Sequence, residues 1–445
     1  MKDSFDPRSY GAMADGHSKD TAAVQAAIDA AAAQGGTVRL AGGTFVCGTL
    51  YLKSNVALEI TNSATLLASP DIADYGTDTH HNRYRNEPEL DRCFLFAQDA
   101  ENVTICGSGV IDGNAAAFPN AGSIYRPMLL RVLRCRNVRV QNLRLLNAAA
   151  WTTAFLDSDF IWATDLHIEN HRNYNGDGLD FDGCRHVWVR GCHIDGTDDN
   201  LCLQSSGLPV QDVHISDCAF TSVCAGIRIG LKSIGEISGV VISNCTMRNI
   251  WREGIKLECT EGGRITDILV ENITMHNVRR PIFAILNNRY RPDDLGSSIE
   301  LDHIPPIGTM ARLRFVGITA VDDEGMAHAQ RRFDNDIMGE PKFGGCRLDA
   351  NAAHPIEDVT IRDFSYTAIG GVRLADLPAA PYPEVPDRLQ APTAPGSENY
   401  YPNWSRTTHL DARNVRGLTL ENLHFITLHS DERPKMLTEG PTIML

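Results

Sequence analysis

The stretch Val213-His214-Ile215-Ser216-Asp217-Cys218-Ala219-Phe220 decides the fold. Successive side chains of an extended strand face opposite sides, so Val213 and Ile215 share one face, and Cys218 and Phe220 resume it beyond a corner at Asp217. The same figure returns in Val187-Trp188-Val189-Arg190-Gly191-Cys192-His193-Ile194 and in Val240-Val241-Ile242-Ser243-Asn244-Cys245-Thr246-Met247. Aligned on the first inward residue, the series is Val138, Ile161, Val187, Val213, Val240, Ile268, Leu313, Val359 and Leu418, with spacings of 23, 26, 26, 27, 28, 45, 46 and 59. The corner is filled in turn by Asn142, Asp165, Gly191, Asp217, Asn244, Asn272, Gly317, Asp363 and Asn422. These are the residue types that tolerate the left-handed backbone a sharp bend requires.

A period of roughly 22–30 residues built from short strands and tight corners predicts coils stacked about 4.8 Å apart. The competing solenoid, the leucine-rich repeat, would need a Leu-x-x-Leu-x-Leu-x-x-Asn pattern and a helical half, and the units have neither. The expected fold is therefore all-β, a single-stranded right-handed parallel β-helix with a short N-terminal capping helix. One domain is expected over residues 1–445, with a cap at 1–36 and coils over 37–445. The segments 70–92, 287–311, 322–355 and the Pro-rich 376–408 fall outside the rhythm and read as long loops, a length usually kept for function. The helix is expected over Asp20 to Gln34, with Asp20 or Thr21 capping its start and Gly35 its end.

The 445 residues carry 41 basic and 56 acidic side chains, a net charge of −15, with no Lys/Arg-rich run. A nucleic-acid or anionic-membrane surface would need a positive footprint, so neither partner is expected. No run of 18 apolar residues is present, and Met1-Lys2-Asp3-Ser4 opens without an apolar segment, so the chain reads as cytoplasmic or as already trimmed of a leader. The twelve cysteines contain no C-x-x-C pair. Cys192, Cys218 and Cys245 hold the same inward position after the corner and read as a core ladder. A zinc set of Cys184, Cys192, His186 and His193 is disfavoured because alternation sends neighbours to opposite faces. No metal and no cofactor is expected.

A second ladder consists of Leu179-Asp180-Phe181, Leu201-Cys202-Leu203, Ile227-Arg228-Ile229 and Ile255-Lys256-Leu257. Its apolar members point inward, so Asp180, Cys202, Arg228 and Lys256 line the outer face of one sheet. At its margin stand Asn175 and Asp177 on one coil and Asp198-Asp199 on the next. Each Asp alone could be a polar corner. Like charges held on adjoining coils cost stability, however, and acid–base chemistry uses that arrangement: a carboxyl of raised pKa protonates a leaving oxygen while an ionised one activates water. Carboxyls about 6.5–9.5 Å apart belong to inverting glycoside hydrolysis. Calcium is the other user of clustered Asp. No Gly-x-Ser-x-Gly elbow, His-Glu-x-x-His or phosphate-binding glycine loop is present.

Tyr10-Gly11-Ala12, Asp15-Gly16, Asp20-Thr21, Ala27-Ile28-Asp29 and Gly35-Gly36-Thr37-Val38 resemble the opening of glycoside hydrolase family 28, the polygalacturonases and their relatives. The likeness continues through Gly107-Ser108-Gly109-Val110-Ile111-Asp112-Gly113, Asn175-Gly176-Asp177-Gly178-Leu179-Asp180 and Gly196-Thr197-Asp198-Asp199-Asn200-Leu201. The resemblance implies a pectin-lyase-like β-helix, Asp198 as general acid, and Asp177 with Asp199 holding and activating the hydrolytic water. It fails at two motifs. The family's Gly-His-Gly motif aligns with Cys224-Ala225-Gly226, so its histidine is Ala225; its Gly-Ile-Arg-Ile-Lys aligns with Gly254-Ile255-Lys256-Leu257-Glu258, which reverses a charge. By resemblance those basic residues engage the galacturonate carboxylate, so ordinary polygalacturonic acid is not the expected substrate. Two roles are open to Arg228: rebuilding a cationic subsite beside Lys256, or pairing structurally with Asp180 or Glu258.

The expectation is an inverting, exo-acting glycosidase for pectin-related or other oligosaccharides, with Asn175, Asp180, Arg228, Lys256, Glu258 and Tyr290 at the substrate. Tyr84, Tyr401 and Trp404 are further sugar-stacking candidates. A lyase, epimerase or glycan transferase on the same fold, and a non-catalytic glycan-binding β-helix, are the alternatives.

Overall fold

Bends between short strands need residues that enter the left-handed region, and all nine anticipated corners do so, with φ between 50° and 66°. The computed structural model describes residues 4–79, 91–120, 126–288, 303–325, 344–379, 404–440 and 442–444. They form two compact units, Met1–Leu201 with Val210–Cys218, and Cys202–Pro209 with Ala219–Leu445. Both are built of parallel strands in stacked coils, and the fold is a parallel β-helix.

In the first unit Val138, Ile161, Val187 and Val213 are parallel partners in one register and are fully buried. The second unit repeats this with Val240, Ile268, Leu313, Val359 and Leu418. Because equivalent positions stack, like side chains form ladders. Asn272 donates its side-chain amide to Asn244 at 2.6 Å along one corner column. Phe155 lies on Phe181 with centroids 4.9 Å apart in the core, and Trp162 lies on Trp188 at 5.0 Å on the outer face.

The cysteine ladder is present. The Cys192 amide meets Cys218 Sγ at 3.4 Å, and the Cys218 contact together with burial pushes the Cys192 thiol up, away from the reactive thiolate. Cys184 and Cys192 are buried, whereas His186 reaches out to Asp159 at 2.6 Å and His193 stacks on His167, so alternation separates the four residues as expected.

Two local expectations are corrected. The helix spans Thr21–Gln34 and ends at Gly35 (φ 72°), but neither anticipated side chain caps its start. The Asp20 carboxylate instead accepts from the amides of Met13 (2.7 Å) and Ala14 (3.0 Å), and Thr21 Oγ1 accepts from the Gly48 amide. The Ala14 amide lies in a buried turn, where a donor without a partner is costly. Ala23, Val24, Ala27, Ile28 and Ala31 form the buried stripe that covers the first coil. Second, the segment 322–355 is not loop throughout: Cys346–Asp349 is a strand that pairs with Phe283–Ile285 and with Leu410–Arg413. Four residues are too few to show a period. No helix among the described residues is long and apolar enough to cross a membrane.

Candidate active site

In the first unit, the strand His167–Asn170 ends in an irregular loop that returns to the sheet at Leu179–Asp182. The loop carries Asn175-Gly176-Asp177-Gly178 and lies against the coil that carries Thr197-Asp198-Asp199-Asn200. Thr197 Oγ1 donates to the Asn173 carbonyl at 2.5 Å and accepts from the Gly176 amide at 3.1 Å. The Gly178 and Leu179 amides bond the carbonyls of Asp199 (3.1 Å) and Asn200 (3.0 Å). These bonds set the Gly176-Asp177-Gly178 turn against the Thr197–Asn200 turn of the next coil. The two glycines are what permit this approach. A Cβ on Gly176 would stand 2.3 Å from Thr197 Oγ1, and one on Gly178 would stand 2.3 Å from the Asn200 carbonyl oxygen.

The three catalytic candidates are thus brought together. Asp177 and Asp199 are buried and Asp198 is half-buried. Asp198 Oδ1 accepts from the Asp199 amide at 2.9 Å, which fixes its rotamer, while the Asp177 carbonyl accepts from Thr152. One half-buried and two buried carboxyls on adjoining coils supply the groups that paired acid and base roles need. Asn175 is half-buried with φ 54°, and its Oδ1 accepts from Arg126 at 2.8 Å. Asp180 is buried in its strand opposite Ala154.

In the second unit Arg228 and Lys256 are register partners on parallel strands, as the ladder anticipated. Arg228 pairs with Glu258: Nε donates to Glu258 Oε2 at 2.7 Å, with both side chains buried. Lys256 lies 3.5 Å from Glu258 and 3.6 Å from Glu253. Glu253 receives Arg280 at 3.1 Å. Burial works to raise the Glu253 carboxyl, yet Lys256, Arg252, Arg280 and Arg279 together hold it at about 2. Arg279 is lowered to about 9, by burial first and then by Arg280. Glu253, Arg279 and Arg280 were not singled out from sequence. The signal was there: Glu253 and Arg280 lie 27 residues apart, one coil period, and are register partners. Tyr290, Tyr84 and Tyr401 lie outside the described residues; Trp404 is half-buried.

Stacked parallel coils with a glycine-lined corner that presents carboxylates from adjoining coils define a β-helix protein with an acidic site. The profile of glycosyl hydrolases family 28 matches residues 44–298, more than half of the chain, and the chain belongs to that family. A probable polygalacturonase of Vitis vinifera is 26% identical over 262 residues, covering 52% of this chain and 52% of that one. An exo-poly-alpha-D-galacturonosidase of Dickeya chrysanthemi is 25% identical over 243 residues, covering 43% of this chain and 40% of that one. The chain therefore spans about half the length or less of these curated relatives. Among solved structures, an exopolygalacturonase from Thermotoga maritima shares the fold with a TM-score of 0.64 at 21% identity, over 82% of this chain and 87% of that one.

Proposed function

We propose that the protein is a glycosidase that cleaves a pectin-related oligosaccharide from a chain end with inversion at the anomeric carbon. The bonds that set the Asp177 turn against the turn carrying Asp198 and Asp199 are the observation that carries this reading. Asp198, the more exposed carboxyl, gives its proton to the glycosidic oxygen as the C–O bond breaks. Water adds to the anomeric carbon from the opposite face, and its proton passes to Asp177 or Asp199. Exo action is supported by the names of the Dickeya chrysanthemi relative and the Thermotoga maritima structure.

Glu258 narrows the substrate. Glu258, paired with Arg228 at 2.7 Å, would repel a second carboxylate beside it, which favours a sugar without a free one. A neutral or esterified residue within a pectic oligosaccharide meets that condition. The test is digestion of a panel of neutral, methyl-esterified and free uronic oligosaccharides, with the fresh product followed by anomeric proton NMR. Inverted product from wild type and its loss in Asp198→Asn is the expected result. Retained configuration, an unsaturated product absorbing in the ultraviolet, or unchanged turnover in Asp198→Asn would each refute the assignment.

A further inference from the structure

We propose that Arg126 is a positioning residue, whose guanidinium holds the Asn175-Gly176-Asp177 corner so that Asp177 keeps its place beside the turn carrying Asp198 and Asp199. The inference rests on the glycosidase reading and adds to it a group that neither the sequence pattern nor the family motifs single out.

Between His171 and Gly178 the chain has no strand ladder of its own, so its shape depends on individual bonds. The neutral ones come from Thr197, from Asn173, whose amide reaches the Ala149 carbonyl at 3.1 Å, and from the Tyr174 amide on the Asn120 carbonyl at 3.0 Å. Arg126 supplies the charged ones. Its Nη1 donates to the Tyr174 carbonyl at 2.7 Å and to the Asn120 carbonyl at 3.4 Å, and its Nη2 donates to Asn175 Oδ1 at 2.8 Å. The side chain is 1% exposed.

Three features make this a clamp. The planar fork spans acceptors on two consecutive residues, which a lysine ammonium on a flexible stem cannot reproduce. A buried cation that loses its acceptors is penalised heavily, so the guanidinium does not release them to water. The bonds from a charged donor are the strong ones in the loop. Asn175, the residue gripped, occupies the left-handed region (φ 54°), so holding both its side chain and the preceding carbonyl pins the bend from which Asp177 projects. In this proposal Arg126 makes no bond to the reacting atoms. It acts through the placement of Asp177, where an error of about 1 Å costs of the order of 10²-fold in rate.

Arg126→Lys keeps the charge and much of the volume and is the primary test. Expected is a fall in kcat of about 10²-fold, well above any rise in KM from the loosened Asn175 side chain. Hydrogen–deuterium exchange should quicken in the peptide spanning 171–178. In Arg126→Gly, added guanidinium ion should recover part of kcat, and the same ion should do nothing for Arg126→Lys. Wild-type kcat in Arg126→Lys, unchanged exchange at 171–178, or a folded Arg126→Gly that guanidinium does not rescue would each overturn the proposal. Should Arg126→Gly fail to fold, the Lys variant decides alone. Asp177→Asn with wild-type turnover would instead overturn the glycosidase roles. The two failures are told apart because Arg126→Lys would in that case still quicken exchange.

Discussion

Asp322→Asn should stabilise the protein at pH 8 and change little at pH 4. Asp322 follows the strand Thr309–Val321 and is 4% exposed, with Oδ2 accepting from the Tyr366 hydroxyl at 2.9 Å. Burial raises its carboxyl from 3.8 to about 7, against the opposing pull of the hydrogen bonds from Tyr366 and the Val278 backbone. A raised carboxyl means that the folded chain keeps a proton that the unfolded chain has released. Between pH 3.8 and about 7 the unfolded state therefore binds fewer protons, and stability falls as pH rises through that window. At about 1.4 kcal/mol per unit, the full interval corresponds to a loss of about 4 kcal/mol, complete above pH 7. Asparagine has no charge to bury and can still accept from Tyr366. The assay is urea unfolding of wild type and variant at pH 4, 6 and 8. The variant's advantage should be near zero at pH 4, intermediate at pH 6 and up to about 4 kcal/mol at pH 8. An advantage that is flat with pH, or largest at pH 4, would refute the assignment of Asp322 as a buried carboxyl ionised against its surroundings.

Breaking the Arg228–Glu258 pair by Arg228→Met should cost about 1–3 kcal/mol in urea unfolding, with Lys256 at 3.5 Å still offsetting part of the Glu258 charge, and Arg228→Met/Glu258→Met should recover some of it. Glu258→Gln should shift binding, read by calorimetry, from galactose toward galacturonate by exposing Arg228 and Lys256 to a ligand carboxylate; an unchanged preference would contradict the substrate reading given above. Gly178→Ala should destabilise the fold by about 1–3 kcal/mol, as overpacking does, because the backbone oxygen of Asn200 cannot yield, and turnover should fall more than stability explains. Asn272→Val, at a corner with φ 53°, should lower stability by about 1–2 kcal/mol through backbone strain, while the same change at the exposed Thr246 should cost far less.

The sequence by itself determined the coil. Alternation from Val213 to Phe220, the corner series from Asn142 to Asn422 and the cysteines after the corners all act through backbone sterics and side-chain direction, which reach only a few residues and so are written locally. The glycines around Asp177 were legible for the same reason, because a spacing of one coil converts directly into adjacency. Partner choice was not. Whether Arg228 would reach Glu258, whether Asp20 would cap its own helix or hold the turn at Ala14, and whether Arg126 would reach Asn175 depended on which acceptor burial left nearest. The bonds that settled those questions join residues 30, 6 and 49 positions apart. Hydrogen bonds and ion pairs inside a desolvated interior are won by proximity in three dimensions, and only the stacked coils establish that proximity. The structure thereby set the acids on adjoining turns of two coils, and placed Arg228 and Lys256 in an ion network with Glu253 and Glu258.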